Sequence, residues 1–270
     1  MRFRCDGPRS APANSVATLT TVTGPADFIP TLVGIGLLLT VTLVVLGLWR
    51  APHRLAPAVA IVRGTAQLAV ISLILTSVIA SAVWVGCALL VMFSVAAVTA
   101  ARRIGWSWGH LALVSGGMAS GIVITLVIVF TTGAIDLSPR YALAIGGIVI
   151  GNAMMIATLA GRRFTSSVDE RWDQVEAWLA LGATPRQSTV DLARTAVYAA
   201  LIPSTDQTKT TGLVTLPGAF VGAIFGGVSP LAAGAFQITV LASVMAAGSI
   251  TAVVVVRALA PVRVRPIALR

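Results

Sequence analysis

Charge is scarce in this chain. It has one lysine, Lys209, in 270 residues and nine acidic residues, and charged residues of all kinds make up 10%. An ordinary soluble domain carries about a quarter. A water-soluble fold of this length could not hide the 57% of residues that are hydrophobic, which excludes a cytosolic globular protein. The single lysine excludes a phosphate-cradling loop, which needs glycines for close backbone approach and a Gly-Lys step for the phosphates. Lys209 instead follows Asp206-Gln207-Thr208. ATP hydrolysis is therefore not expected here, and the chain reads as a non-enzyme that calls for no cofactor. Two cysteines, Cys5 and Cys87, make neither a disulfide framework nor a zinc spacing. His53 and His110 sit at the ends of apolar runs without a carboxylate cluster, which argues against a membrane enzyme.

What is present is a succession of apolar runs separated by arginines. The net charge of +10 forms no basic patch with interleaved aromatics, so no nucleic-acid partner is expected; the partner implied is the lipid bilayer. The fold class is all-α, a polytopic membrane protein with about seven transmembrane helices and a cytoplasmic helical hairpin. Spanning the hydrocarbon core takes about 20 apolar residues. Spans are expected at Phe28–Leu48, Ile61–Ala80, Ala82–Ala100, His110–Thr131, Tyr141–Ala160, Gly212–Val228 and Leu231–Val256. Residues 1–27 lack the apolar core of a signal peptide and read as a disordered tail. Residues 28–257 form the membrane domain, with the hairpin at 162–210, and 258–270 form a basic cytoplasmic tail. With the amino end outside, the clusters at Arg50/Arg54, Arg102/Arg103, Arg162/Arg163 and the carboxyl tail all fall inside, as the positive-inside rule requires. This is a multi-pass plasma-membrane topology.

The hairpin holds the longest charged interval. Ser167 and Glu170 make a capping box that predicts a helix from Val168, with an apolar stripe of Val168, Trp172, Val175 and Leu179. Gly182 supplies the stop, because a C′ residue commonly needs positive φ. Thr184 and Pro185 then read as N-cap and N1 of a second helix that ends at Pro203. Such a corner could simply connect two spans. However, Glu176-Ala177-x-x-x-Leu181-Gly182-Ala183-Thr184-Pro185 resembles the coupling motif of ABC transporter permeases, in which this corner docks into a groove on a cytoplasmic ATPase. Gly151-Asn152-Ala153-Met154, Ala199-Ala200-Leu201-Ile202-Pro203, Asp206, Lys209, Leu216-Pro217-Gly218 and Gln237-Ile238 narrow the likeness to the FetB-type permeases, a family linked to iron export. The likeness covers roughly residues 61–257. It implies a permease subunit exporting iron or another metal ion, a separate ABC ATP-binding subunit, a homodimer, and ATPase coupling through Glu176, Ala177, Leu181, Gly182, Ala183, Thr184 and Pro185. In plant relatives the family is linked to aluminium tolerance, which leaves an organic solute open. Related chains usually carry methionines after Leu-Pro-Gly; here Ala219 and Phe220 follow.

Intramembrane polar residues are functional candidates by default. Arg63 and Gln67 lie at i, i+4 near the start of the second span, where Arg63 snorkelling and Gln67 bonding between helices are the simpler alternatives. Asn152 and Met155 share a face of the fifth span. Asp206 and Lys209, at i, i+3, either pair or face an inner vestibule. Together these six are the candidate translocation residues; no metal ligand set is identifiable among them. Gly147 and Gly151, and Gly218, Gly222 and Gly226, form two ridges suited to close helix packing. The rival reading is a stand-alone secondary transporter. It needs ionisable residues near the membrane midplane, and spans one and three to five contain no acidic residue.

Overall fold

A computed structural model describes residues 29–79 and 81–266. The tail expected over residues 1–27, with Cys5, lies outside them. Among the described residues the chain is helical and forms no strand: α1 (Ile29–Leu48), α2 (Ala56–Ile79), α3 (Ala82–Ile104), α4 (Trp108–Thr131), α5 (Pro139–Glu170), α6 (Trp172–Ala180), α7 (Val190–Thr210), α8 (Gly218–Phe225) and α9 (Pro230–Leu259). Six of these are long and apolar enough to cross a membrane, namely α1 to α5 and α9. This is the polytopic all-α protein expected from the composition.

Contacts divide the chain after Ile74. In the first unit α1 is apolar on every side and buries no residue, the pattern of a helix whose solvent is lipid rather than a protein core. The second unit, from Leu75 onward, is a packed bundle. Its main core is built from α3, α4, α5 and α9, around Met118, Ile145, Val149 and Val255. Small residues set the spacing. A Cβ added at Gly121 on α4 would overlap the carbonyl oxygen of Ala247 on α9, and one at Gly248 would overlap Ile156 on α5. Backbones meeting this closely is how helices associate where apolar burial gives little drive.

The hairpin departs from the sequence-based expectation at its start. No helix begins at Val168: α5 runs unbroken from Pro139 to Glu170, and the Ser167–Glu170 capping box does not form. Instead Ser166 donates to the Glu170 carboxylate within the helix, at 2.7 Å. The reason is packing, because Phe164 and Val168 are both buried in a second core, with Val175, Leu192, Ala196 and Val256, and hold that turn helical. The break comes at Arg171, and α6 follows. The stripe itself holds, with Val168 and Val175 fully buried and Trp172 and Leu179 packed beside them.

A second correction concerns the sixth span. Residues Gly212–Val228 do not form one: Gly212 has φ +88° in a turn closed by its amide to Thr215, and α8 is only eight residues long. Eight residues rise about 12 Å, less than half the ~30 Å hydrocarbon core. Pro203 does not end a helix either; α7 continues through it to Thr210. The start of α7 lies at the end of α9, since Thr189 bonds to Ala260, while the far end of α7 leads through α8 to the start of α9. α7 therefore runs antiparallel to α9. Its 21 residues rise about 31 Å, about the thickness of the hydrocarbon core. Sequence patterning misses it because Asp191, Arg194, Asp206, Gln207 and Lys209 dilute its hydrophobicity.

Candidate functional site

Two features of the second unit bear on function: the corner after α6, and a groove between α5 and α7.

The corner is closed by a Schellman motif. The Ala183 amide donates to the Trp178 carbonyl at 3.0 Å and the Gly182 amide to the Leu179 carbonyl at 3.0 Å. Gly182 has φ +89°, as its role at C′ demands. Thr184 then caps the next turn reciprocally. Its amide donates to the Gln187 Oε1 at 2.8 Å, and the Gln187 amide donates back to the Thr184 hydroxyl at 3.4 Å. The sequence signal for that capping box is the T-x-x-Q spacing, which the Thr184-Pro185 pairing alone does not bring out. The turn from Pro185 to Thr189 precedes α7 proper. Of the expected coupling residues, Glu176, Ala177, Leu181, Gly182 and Thr184 are exposed, and Ala183 and Pro185 half-buried. The surface they share is partly apolar, since Leu181 is 80% and neighbouring Trp178 51% exposed.

The knob is strapped from behind. Thr189, fully buried, donates to the Ala260 carbonyl at 2.8 Å. Arg265 donates through Nε to the Asp169 carboxylate at 2.7 Å. That hydrogen bond, and secondarily the carboxylate's charge, raises the guanidinium pKa.

The groove is a partly open cavity of about 560 Å³. The positions 152, 155, 159, 162 and 166 of α5 form its floor, one helical face. One end carries Arg162 and Arg163, joined by Arg103 from α3, with the hydroxyls of Thr165 and Ser166. The other end carries Asn152 from α5 and Ser204 and Gln207 from α7. Ile156 and Ala200 make the walls between. Asn152 is tied to its own helix, donating to the Ile148 carbonyl at 2.9 Å.

Of the six candidate translocation residues, the structure places two, Asn152 and Met155, in this groove. Met155 is 62% exposed. Asp206 and Lys209 pair with each other at 3.4 Å and are exposed, on a neighbouring face of α7. Arg63 and Gln67 are exposed on α2, in the first unit. In the sequence the groove arginines carry only a topology signal, and nothing there distinguishes Gln207. A Cβ at Gly218 or Gly222 of α8, or at Gly151 of α5, would meet nothing within 4 Å, whereas one at Gly147 would meet Met92. Gln237, of the Gln237-Ile238 pair, is buried in α9 with its Oε1 unpartnered. Among the described residues no three His, Cys, Asp or Glu side chains converge as a metal site would require.

Residues 30–262 match the family described as Uncharacterised protein family (UPF0014). The UPF0014 membrane protein STAR2 of Oryza sativa subsp. japonica is 36% identical over 198 residues, 72% of this chain and 69% of the relative. Protein ALUMINUM SENSITIVE 3 of Arabidopsis thaliana is 34% identical over 170 residues, 63% of this chain and 62% of the relative. The Probable iron export permease protein FetB of Escherichia coli strain K12 is 37% identical over 134 residues, 50% of this chain and 52% of the relative. The chain thus spans about half to two thirds of the lengths of these relatives. No solved structure matches it.

Proposed function

The chain belongs to the UPF0014 family of membrane proteins, and from that premise we propose that it is the membrane-spanning subunit of an ABC transporter, energised by a separate ATP-binding subunit. The observation that carries the reading is the Gly182 corner. It is rigid, closed by two backbone bonds and a reciprocal cap, and it presents Glu176, Trp178 and Leu181 outward. A bare linker needs neither the closure nor an exposed apolar pair. A docking knob needs both, because only a fixed shape with differential contact in two states can bias a conformational equilibrium.

In this reading the corner faces the cytoplasm, the amino end lies outside and the carboxyl end inside, and the complex is a plasma-membrane homodimer with two ATP-binding subunits. The glycine ridge of α8 supports a seam between copies. The direction is export, and the iron named in the E. coli relative supports iron or another metal as cargo. An organic solute is the second reading, favoured by the arginines and neutral hydrogen-bonding groups of the groove.

The test is reconstitution in liposomes with and without an ATP-binding subunit. ATP-dependent solute movement that needs both polypeptides is the expected result, with cellular iron rising when either is deleted. Movement driven by the chain alone, without ATP, would return the protein to the stand-alone secondary transporters.

A further inference from the structure

The lining of the groove has a sign. Arg103, Arg162 and Arg163, all exposed, line one end of a cavity of about 560 Å³, and no carboxylate lines it. Among the described residues none of the three is in an ion pair; the acidic partners recorded belong to Arg194, Lys209 and Arg265. The nearest acidic groups along α5 are both engaged beyond the lining, Asp169 with Arg265 and Glu170 with the Ser166 hydroxyl. Arg102, next to Arg103, is different: it stacks on the Trp106 ring at 5.4 Å and does not line the cavity.

Three guanidinium groups in one concavity repel one another and attract anions. Their planar forks match phosphate and carboxylate oxygens two at a time. A bare divalent cation would meet the opposite of what it needs, a cage of anionic or carbonyl oxygens. Farther along the same floor, Asn152, Ser204 and Gln207 offer neutral donors and acceptors, suited to a hydroxylated body rather than an acyl chain.

We propose that the groove between α5 and α7 is a binding site for an oxygen-rich anion bearing phosphate or carboxylate groups, held at its charged end by Arg103, Arg162 and Arg163. A metal cargo would then enter as an anionic chelate, not as the naked ion. This gives the proposed permease a solute class, and depends on the permease role only for the transport step, not for binding.

Binding is therefore measured on the purified full chain, without any ATP-binding subunit, so that failure here and failure of the transporter reading are separate results. The chain is placed in phosphatidylcholine nanodiscs and titrated with inorganic pyrophosphate, citrate, or ferrous or magnesium chloride, with thermal stabilisation as the readout. A parallel preparation contains phosphatidylglycerol. The expected result is saturable stabilisation by pyrophosphate or citrate, weakened about tenfold or more in Arg162→Gln/Arg163→Gln. Arg102→Gln should leave it unchanged, and Arg162→Lys should retain part of it. Dependence on the same arginines confined to phosphatidylglycerol discs would assign the site to a lipid head group, the same chemistry from another source. Equal binding in the wild type and the double variant, or no binding of any anion by a folded chain, overturns the proposal. So does arginine-independent saturation by the metal chlorides alone.

Discussion

Thr189 donates its hydroxyl to the Ala260 carbonyl across 2.8 Å with neither group open to solvent. The two residues are 71 apart in sequence. The bond ties the beginning of α7 to the end of α9, and so sets the corner against the bundle rather than leaving it on a tether. Replacing Thr189 by Val keeps the shape but removes this bond while the Ala260 carbonyl keeps the Val262 amide as donor, a loss of about 0.5–1.5 kcal/mol. A lowered Tm for Thr189→Val, with Thr189→Ser near wild type, is the expected outcome. Equal melting of all three would show that the bond holds nothing.

Gly182 separates corner geometry from folding. A Cβ there would meet nothing within 4 Å, so the cost of Gly182→Val is chiefly the left-handed backbone, about 1–2 kcal/mol. Abundance and insertion should stay normal, while transport per ATP hydrolysed falls in the reconstituted complex. Gly182→Ala should be milder, and Glu176→Ala should chiefly weaken binding of the ATP-binding subunit. Wild-type coupling in Gly182→Val would reduce the corner to a linker.

Helix spacing gives a third test. Gly121→Ala forces α4 away from the Ala247 carbonyl, while Gly116→Ala on the same helix meets open space. Overpacking of this kind costs about 1–3 kcal/mol. The first variant should melt earlier and the second should not; identical melting curves would contradict the close α4–α9 contact.

The placement of α7 has a direct readout. Leu213, between α7 and α8, is 92% exposed and Leu181 at the corner 80%. In a chain lacking Cys5 and Cys87, a single cysteine at position 213 should react with an impermeant thiol reagent from outside. One at position 181 should react only after permeabilisation. Labelling of both from the same side would mean that α7 does not cross.

The helical class and the six apolar crossings are legible from composition alone, because lipid leaves the backbone no alternative to internal hydrogen bonding. Gly182 is legible because one residue type answers one backbone need. α7 is not legible as a helix of membrane length, since the exposed Asp191, Arg194, Asp206 and Lys209 dilute its hydrophobicity, and a hydropathy pattern does not say which helix lies alongside. The α5 break shifts from Ser167 to Arg171 for a similar reason: Phe164 and Val168 are held by Val256 and Leu192, distant in sequence. The groove arginines look like topology signals because convergence from α3 and α5 is a three-dimensional fact.

Pro203 opens a gap in the hydrogen-bond ladder of α7. With no N–H, it leaves the Ala199 carbonyl without its usual donor four residues on, beside the groove residues Ala200 and Ser204. The half from Val190 to Ile202 is an arm about 19 Å long, continuous at its Val190 end with the corner. A swing of roughly 10° about the proline moves the far end of that arm by about 3 Å. The bend that a missing hydrogen bond permits thus falls where a push on the corner would widen or narrow the cavity.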